Sequence, residues 1–288
     1  MIYSYTMKKL KLLALFNFLI FSVGLAQNDS LTFFNAHWSK KRVARGVKLY
    51  NFHFKNRELF NANQNISYIV FGNRFLGRKA GIAAENKKLR TTSDFAFNNH
   101  AIAAINGNFF DMKNGGSVDF TRQGGSLINE NNKGRDEKLA FHQKAAIVIR
   151  KGRLSIKKWD GLNNWADWIT EKDVMLNGPL LRYNNQNEQL DSVSFNSNRH
   201  PRTCVGIRPN GKVVMLVVDG RNANSAGMSL FELAKIMAWL GCASAINFDG
   251  GGSSTLWVKQ KGVINYPSDN GKWDRAGQRK VANILYIK

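Results

Sequence analysis

The chain has 288 residues, 43% hydrophobic and 11% aromatic, which suffices for one large core and excludes a disordered or fibrous protein. Its 42 basic and 20 acidic side chains give a formal charge of +22, a balance that attracts polyanions. The basic residues are spread in pairs and triplets with no helix-turn-helix, zinc-finger or RNA-binding signature, so they read as a solvated basic face and nucleic acid is not expected as a partner.

The first segment reads as a secretory signal, 1–26. Lys8, Lys9 and Lys11 form a charged start, residues 12–25 are apolar apart from Asn17 and Ser22, and Gly24 and Ala26 are small residues before a cut at Gln27. The apolar run is short for a membrane span, which takes about 20 residues. An exported protein, periplasmic or extracellular, with no stable membrane insertion after signal removal is expected. Export would permit a disulfide between Cys204 and Cys242, but both flank apolar runs, which favours two buried free thiols.

Residues 28–39 form a polar lead-in, and 43–59 and 65–71 alternate as strands do, within an N-terminal stretch, 27–90, of the same domain. Thr91-Thr92-Ser93-Asp94 suits the cap of a short helix over 95–99, and the apolar run 101–105 suits a buried strand. A glycine-rich loop and the very polar segment 129–138 follow. Residues 145–150 and 154–159 flank Lys151-Gly152-Arg153 as a hairpin, and Trp165 and Trp168 suit one face of a short helix. Residues 203–208 and 212–219 are strands about the turn Pro209-Asn210-Gly211. A helix then begins at Ser229 with Glu232 three residues on, shows the stripe Leu230, Leu233, Ala234, Met237 and Leu240, and ends at Gly241. Strand, helix and strand in that order predict a β-α-β unit with 213–219 parallel to 243–249. Short strands close the chain. The expected fold class is α+β: a single mixed-sheet domain with this β-α-β unit in its C-terminal third and a loop-lined surface cavity.

Three loops concentrate functional groups: Asn106 to Asp111, Asp219 to Ser225 with Arg202 shortly upstream, and Asp249 to Ser254. In the last, Gly250, Gly251 and Gly252 permit a tight turn whose amides, with the Ser253 and Ser254 hydroxyls, can donate to an anion beside the Asp249 carboxylate. A plain capped turn would also use these residues. A parallel β-α-β unit would place Asp219, Arg221 and Asp249 together, and arginine clamps phosphate bidentately. Asp219 equally suits bonding its own turn, Asn106 and Asn108 suit shaping theirs, and Glu232 suits its capping box better than catalysis. The five histidines lack metal spacing and the glycine loop lacks the nucleotide-binding G-K-[ST], so no metal, ATP or other cofactor is expected.

Taken in order, A-I-N-G-N-F-F-D, N-G-P-L-L, R-T-C-V-G-I, V-V-D-G-R, S-A-G-M-S-L-F-E-L-A, A-I-N-F-D-G-G-G-S-S-T, N-Y-P-S and R-K-V-A-N-I-L-Y resemble the phosphodiester glycosidase family over 91–288. The resemblance implies a mixed α/β domain that cleaves a sugar from a sugar-1-phosphodiester, or a phosphorylated glycan carrying that linkage. It implies cavity positions at Asn106, Asn108, Asp111, Arg202, Asp219, Arg221, Ser225, Glu232, Asp249, Ser253, Ser254 and Arg279. The sequence departs from the family pattern at Cys204, Asn108 and Lys280, where alanine, glycine and proline are common. Since a phosphate monoester is a good leaving group, with a second pKa of about 6, the site needs charge stabilisation and a carboxylate at the anomeric carbon. Asp249 or Asp219 is expected to supply the carboxylate, and Arg202, Arg221 and the glycine turn to hold the phosphate. A non-catalytic module binding an anionic glycan is the alternative.

Overall fold

A computed structural model of the protein describes residues 29–73, 78–132 and 138–288, so the signal at 1–26 and residues 133–137 of the polar stretch 129–138 lie outside the described residues. Among the described residues there are four antiparallel sheets, a two-stranded one of Arg90–Thr91 with Lys280–Val281 and three larger ones that meet at one core. The largest has eight strands, in the order Ser39–Ala44, Val47–Leu59, Ala62–Gly72, Lys212–Val218, Arg202–Ile207, Ser244–Asn247, Leu180–Tyr183 and Gln186–Asn187. A second runs Gly262–Val263, Leu256–Val258, Ala103–Asn106, Asn283–Ile287 and Ala80–Ala84. The third runs Arg153–Lys158, Ala145–Arg150, Asp173–Asn177, Thr121–Gln123 and Ser126–Asn129.

Period-two alternation explains how these layers pack. Along Lys212–Val218 the side chains of Val213, Met215 and Val217 enter the core shared by all three sheets, among Ile105, Leu285, Ile147 and Met175. Val214, Leu216 and Val218 point the other way, into a second core beneath the helix Leu230–Trp239. With both faces buried, this strand reads as an unbroken apolar run.

The helix follows its sequence signals. The Ser229 hydroxyl accepts from the Glu232 amide and the Glu232 carboxylate accepts from the Ser229 amide, a reciprocal cap that stabilises by about 1 kcal/mol. Leu230, Leu233, Ala234, Met237 and Leu240 all enter the second core. Thr91 caps the helix Thr92–Asn98 through the Asp94 amide, and the hairpin of Ala145–Arg150 with Arg153–Lys158 turns at Lys151-Gly152.

Three expectations are corrected. The strands 213–219 and 243–249 do run parallel, but as Lys212–Val218 and Ser244–Asn247 they are not neighbours: Arg202–Ile207 lies between and pairs antiparallel with each. Every pairing among the named strands is antiparallel, so the α+β class holds without a parallel pair. The polar lead-in is helical over 29–35, because Phe33 is buried against Trp38, Phe54 and Trp239. Residues 163–168 form turns, with Trp165 buried and bonded to the Gln143 carbonyl while Trp168 is exposed. As expected, Cys204 and Cys242 are buried free thiols, the second with its pKa pushed up to about 12 by burial. No helix among the described residues is long and apolar enough to cross a membrane.

Candidate active site

The site is built where strands from two sheets run out. Ala103–Asn106 ends in the loop Gly107 to Asp111, and Ser244–Asn247 ends just before Asp249. The backbone amide of Asp249 donates to the Gly107 carbonyl at 3.1 Å, and the Asn106 side-chain amide donates to the Asp249 carbonyl at 2.7 Å. Asn106 Oδ1 in turn accepts from the Thr203 hydroxyl and the Thr255 amide. Asn106 is thus a fully enclosed tie between the first and third loops.

The triple glycine has a separate reason at each position. A side chain on Gly250 would place its Cβ 2.6 Å from the Pro201 carbonyl oxygen. Gly251 has φ +59°, and a Cβ there would lie 3.0 Å from an Arg221 guanidinium nitrogen. A Cβ on Gly252 would lie 2.5 Å from both Arg279 and Asp269. The glycines therefore let a backbone and two arginines close around the turn. The turn is not the open amide cradle expected from the sequence. The Gly250 amide donates to its neighbour Asp249 Oδ1, Gly251 to Pro201, Ser253 to Gly250 and Ser254 to Gly251. Donors free for an anion come instead from the buried Ser253 and Ser254 hydroxyls, which have no partner among the described residues, and from the arginines.

Asp249 itself is partly exposed, but its carboxyl is enclosed, and burial raises its pKa to about 6 against the pull of Ser253, Arg279 and Gly250. The Ser253 hydroxyl acts on that carboxyl from outside hydrogen-bonding geometry. Arg221 is exposed and sits at φ +61°, a left-handed conformation uncommon for a bulky side chain. Arg279 is paired with Asp269 through Nε at 2.7 Å.

The other expected positions brace these groups. Asp219 is buried, and its carboxylate accepts from Asn65, Asn265 and the Tyr266 amide at 2.7–2.9 Å. Burial still raises its pKa to about 6. The Ser225 hydroxyl donates to the Asp219 carbonyl. Arg202 is 1% exposed; its guanidinium donates to the carbonyls of Met228, Phe195 and Asn198 and stacks over the Phe195 ring at 4.9 Å. Burial and the nearby Arg221 lower its pKa to about 10. Asn108 is a buried hub bonded to Thr121, Leu176, Ser117 and Asn283. Asp111 shapes its turn by accepting from the Lys113 and Asn114 amides, which hold its carboxyl below the usual range. Glu232 adds to its cap an ion pair with Arg199. The structure therefore brings Asp249, Arg221, Arg279, Ser253 and Ser254 together around the glycine turn, and sets Asp111 and Glu232 in bonds of their own.

Two groups escaped the sequence reading. Asp119 is fully buried, and its Oδ1 accepts from Gln143 Nε2 at 3.1 Å and meets His142 Nδ1 at 2.9 Å. Burial raises the Asp119 pKa, and its charge acts on Asp249 across the site. No local motif marks the pair, which are 23 residues apart. Among the described residues no group of three or more His, Cys, Asp and Glu is arranged to hold a metal ion.

Comparison with known proteins bears on the family and the fold. The family model described as phosphodiester glycosidase matches residues 99–288. N-acetylglucosamine-1-phosphodiester alpha-N-acetylglucosaminidase of Bos taurus is 28% identical over 194 residues, 64% of this chain and 36% of that protein. An SPbeta prophage-derived uncharacterized protein of Bacillus subtilis is 37% identical over 67 residues, 23% of this chain and 10% of that one. The chain thus spans well under two thirds of the curated relatives it matches. The catalytic domain of the zebrafish N-acetylglucosamine-1-phosphodiester alpha-N-acetylglucosaminidase, auto-inhibited by its pro-peptide, superposes with a TM-score of 0.67 at 19% identity over 86% of this chain and 85% of that one, a likeness of fold.

Proposed function

The chain belongs to the phosphodiester glycosidase family, and from that we propose that it is an exported hydrolase cleaving the bond between a sugar's anomeric carbon and a phosphodiester oxygen. The observation that carries the reading is the Asp249 carboxyl beside the Gly250–Gly252 turn, with Arg221 and Arg279 against that turn. Carboxylate and cations side by side suit the two ends of one scissile bond. Asp249 faces the positive charge that develops at the anomeric carbon, while Arg221 and Arg279 hold the departing phosphate with the Ser253 and Ser254 hydroxyls. Asp219 and Arg202 keep their loops in place. Export is supported by the charged and apolar start of the sequence.

Incubation with N-acetylglucosamine 1-(methyl phosphate) and, separately, with a plain phosphate ester tests this reading. Free sugar and free inorganic phosphate are measured independently. Sugar release from the first substrate is expected. Inorganic phosphate without sugar refutes the glycosidase reading, and tight binding with no product in either reaction indicates a binding protein.

A further inference from the structure

Among the described residues, the Asp119–His142 pair is a titratable constellation near Asp249 that the roles above leave unused. His142 lies in the short turn Phe141–Gln143, and its side chain is 19% exposed while that of Asp119 is 0%. The pair is held rigidly. Gln143 Nε2 donates to Asp119 Oδ1 and to the carbonyls of Val118 and Asn132, and Gln143 Oε1 accepts from the Ala140 amide. Asp119 Oδ1 is therefore an acceptor already, and His142 Nδ1 bonds it as the N–H donor. This leaves Nε2 as the basic nitrogen.

The ring is built into the walls of the site. It packs on Phe109 of the first loop, with centroids 4.7 Å apart, and Phe109 packs on Phe195, over which Arg202 stacks. The backbone of His142 fills the space beside Gly178, where a Cβ would meet it at 2.9 Å. The Gly178 carbonyl accepts from Asn247, two residues before Asp249. The Asp119 carbonyl accepts from the Ser117 hydroxyl, which also bonds Asn108, next to the Gly107 carbonyl that holds the Asp249 amide. Contacts through the His142 backbone and through the Asp119 backbone thus tie the pair to the Asp249 loop, and the His142 side chain is partly exposed while that of Asp119 is buried.

We propose that His142, oriented by Asp119, is the base that activates the attacking water; the inference rests on the glycosidase reading above. The bond between the anomeric carbon and the phosphate oxygen breaks with its electron pair going to the phosphate. The water oxygen forms the new bond to the anomeric carbon, and its proton passes to His142 Nε2 and then to solvent. The phosphate needs no proton to leave, so one base is sufficient. Asp119 is a positioning residue: it fixes the tautomer and bears on the imidazolium as charge develops, the logic of a carboxylate behind a histidine base.

The test uses the whole chain and N-acetylglucosamine 1-(methyl phosphate). His142→Gln is expected to lower kcat about 100- to 10,000-fold, the usual contribution of a positioned base, with KM changed less than about threefold. Added imidazole is expected to restore turnover to His142→Ala in proportion to its concentration, which a merely structural role would not allow. Nitrogen-15 spectra of histidine-labelled protein, with the His142 signal identified by its loss in His142→Gln, are expected to show neutral His142 protonated on Nδ1, and a changed tautomer balance in Asp119→Asn. A wild-type enzyme that turns over while His142→Gln keeps its kcat overturns this inference alone. So does an Nε2-protonated neutral ring, or no rescue of a folded His142→Ala. A wild-type protein that releases no sugar removes the glycosidase reading and this inference with it.

Discussion

Replacing Asp249 by asparagine separates what the site does from what it costs the fold. Burial raises the Asp249 carboxyl from its ordinary 3.8 to about 6. Because the folded value lies above the unfolded one, the folded state holds the extra proton between about pH 4 and 6, and the wild-type protein loses stability as pH rises through that window. A rise of this size corresponds to about 3 kcal/mol in a fully enclosed carboxyl. The residue is partly exposed, and solvent screening reduces this to about 2 kcal/mol. Asp249→Asn keeps the shape and can still accept from the Gly250 amide through its side-chain oxygen. The variant is therefore expected to release no sugar and yet to melt about 5 °C higher than wild type at pH 7.5, since ~1 kcal/mol moves the midpoint of a chain this size by roughly 2–4 °C. At pH 4 the two midpoints converge. Asp219 and the paired carboxylates titrate alike in both proteins and cancel from the difference. Melting curves by circular dichroism at both pH values make the comparison. Equal midpoints at pH 7.5, or a variant that melts lower there, refute the claim that this carboxylate is held charged at the fold's expense.

Two further outcomes follow from the turn around it. Arg221→Gly fits the left-handed backbone at that position, so the thermal midpoint should stay within about 3 °C of wild type, while loss of a charge-assisted contact of about 1.5–3 kcal/mol raises KM roughly 10- to 100-fold; unchanged steady-state kinetics would separate Arg221 from the phosphate. Gly250→Ala forces a Cβ to within 2.6 Å of the Pro201 carbonyl oxygen and should destabilise by about 1–3 kcal/mol in urea titrations. Gly72→Ala, where nothing lies within 4 Å, is the control and should stay within about 0.5 kcal/mol.

Features governed by near neighbours along the chain were legible in the sequence. Ser229 and Glu232 are three residues apart, so their reciprocal cap is written locally, as are the Thr91 cap, the Lys151-Gly152 hairpin and the alternating strands. The ordered motifs also marked the loops that meet around Asp249, because glycine turns and strand-end carboxylates are local signals. What those loops use their groups for depended on contacts between distant segments. The Gly250, Gly251, Ser253 and Ser254 amides are occupied because Pro201 and the turn itself reach them, and Asp219 is enclosed because Asn65 and Asn265 arrive from elsewhere in the chain. Arg202 looked like a phosphate clamp from its charge; three carbonyls and Phe195 make it a brace. The strand Arg202–Ile207 enters between two others that the strand-helix-strand order would pair. Asp119 and His142 carry no pattern at all until folding sets them 2.9 Å apart. The sequence by itself determined the elements and the family, through periodicity, caps and ordered motifs. Only the tertiary structure decided which charged groups are spent on the protein's own backbone and which remain open to a ligand, because hydrogen bonds and burial between remote segments set that division.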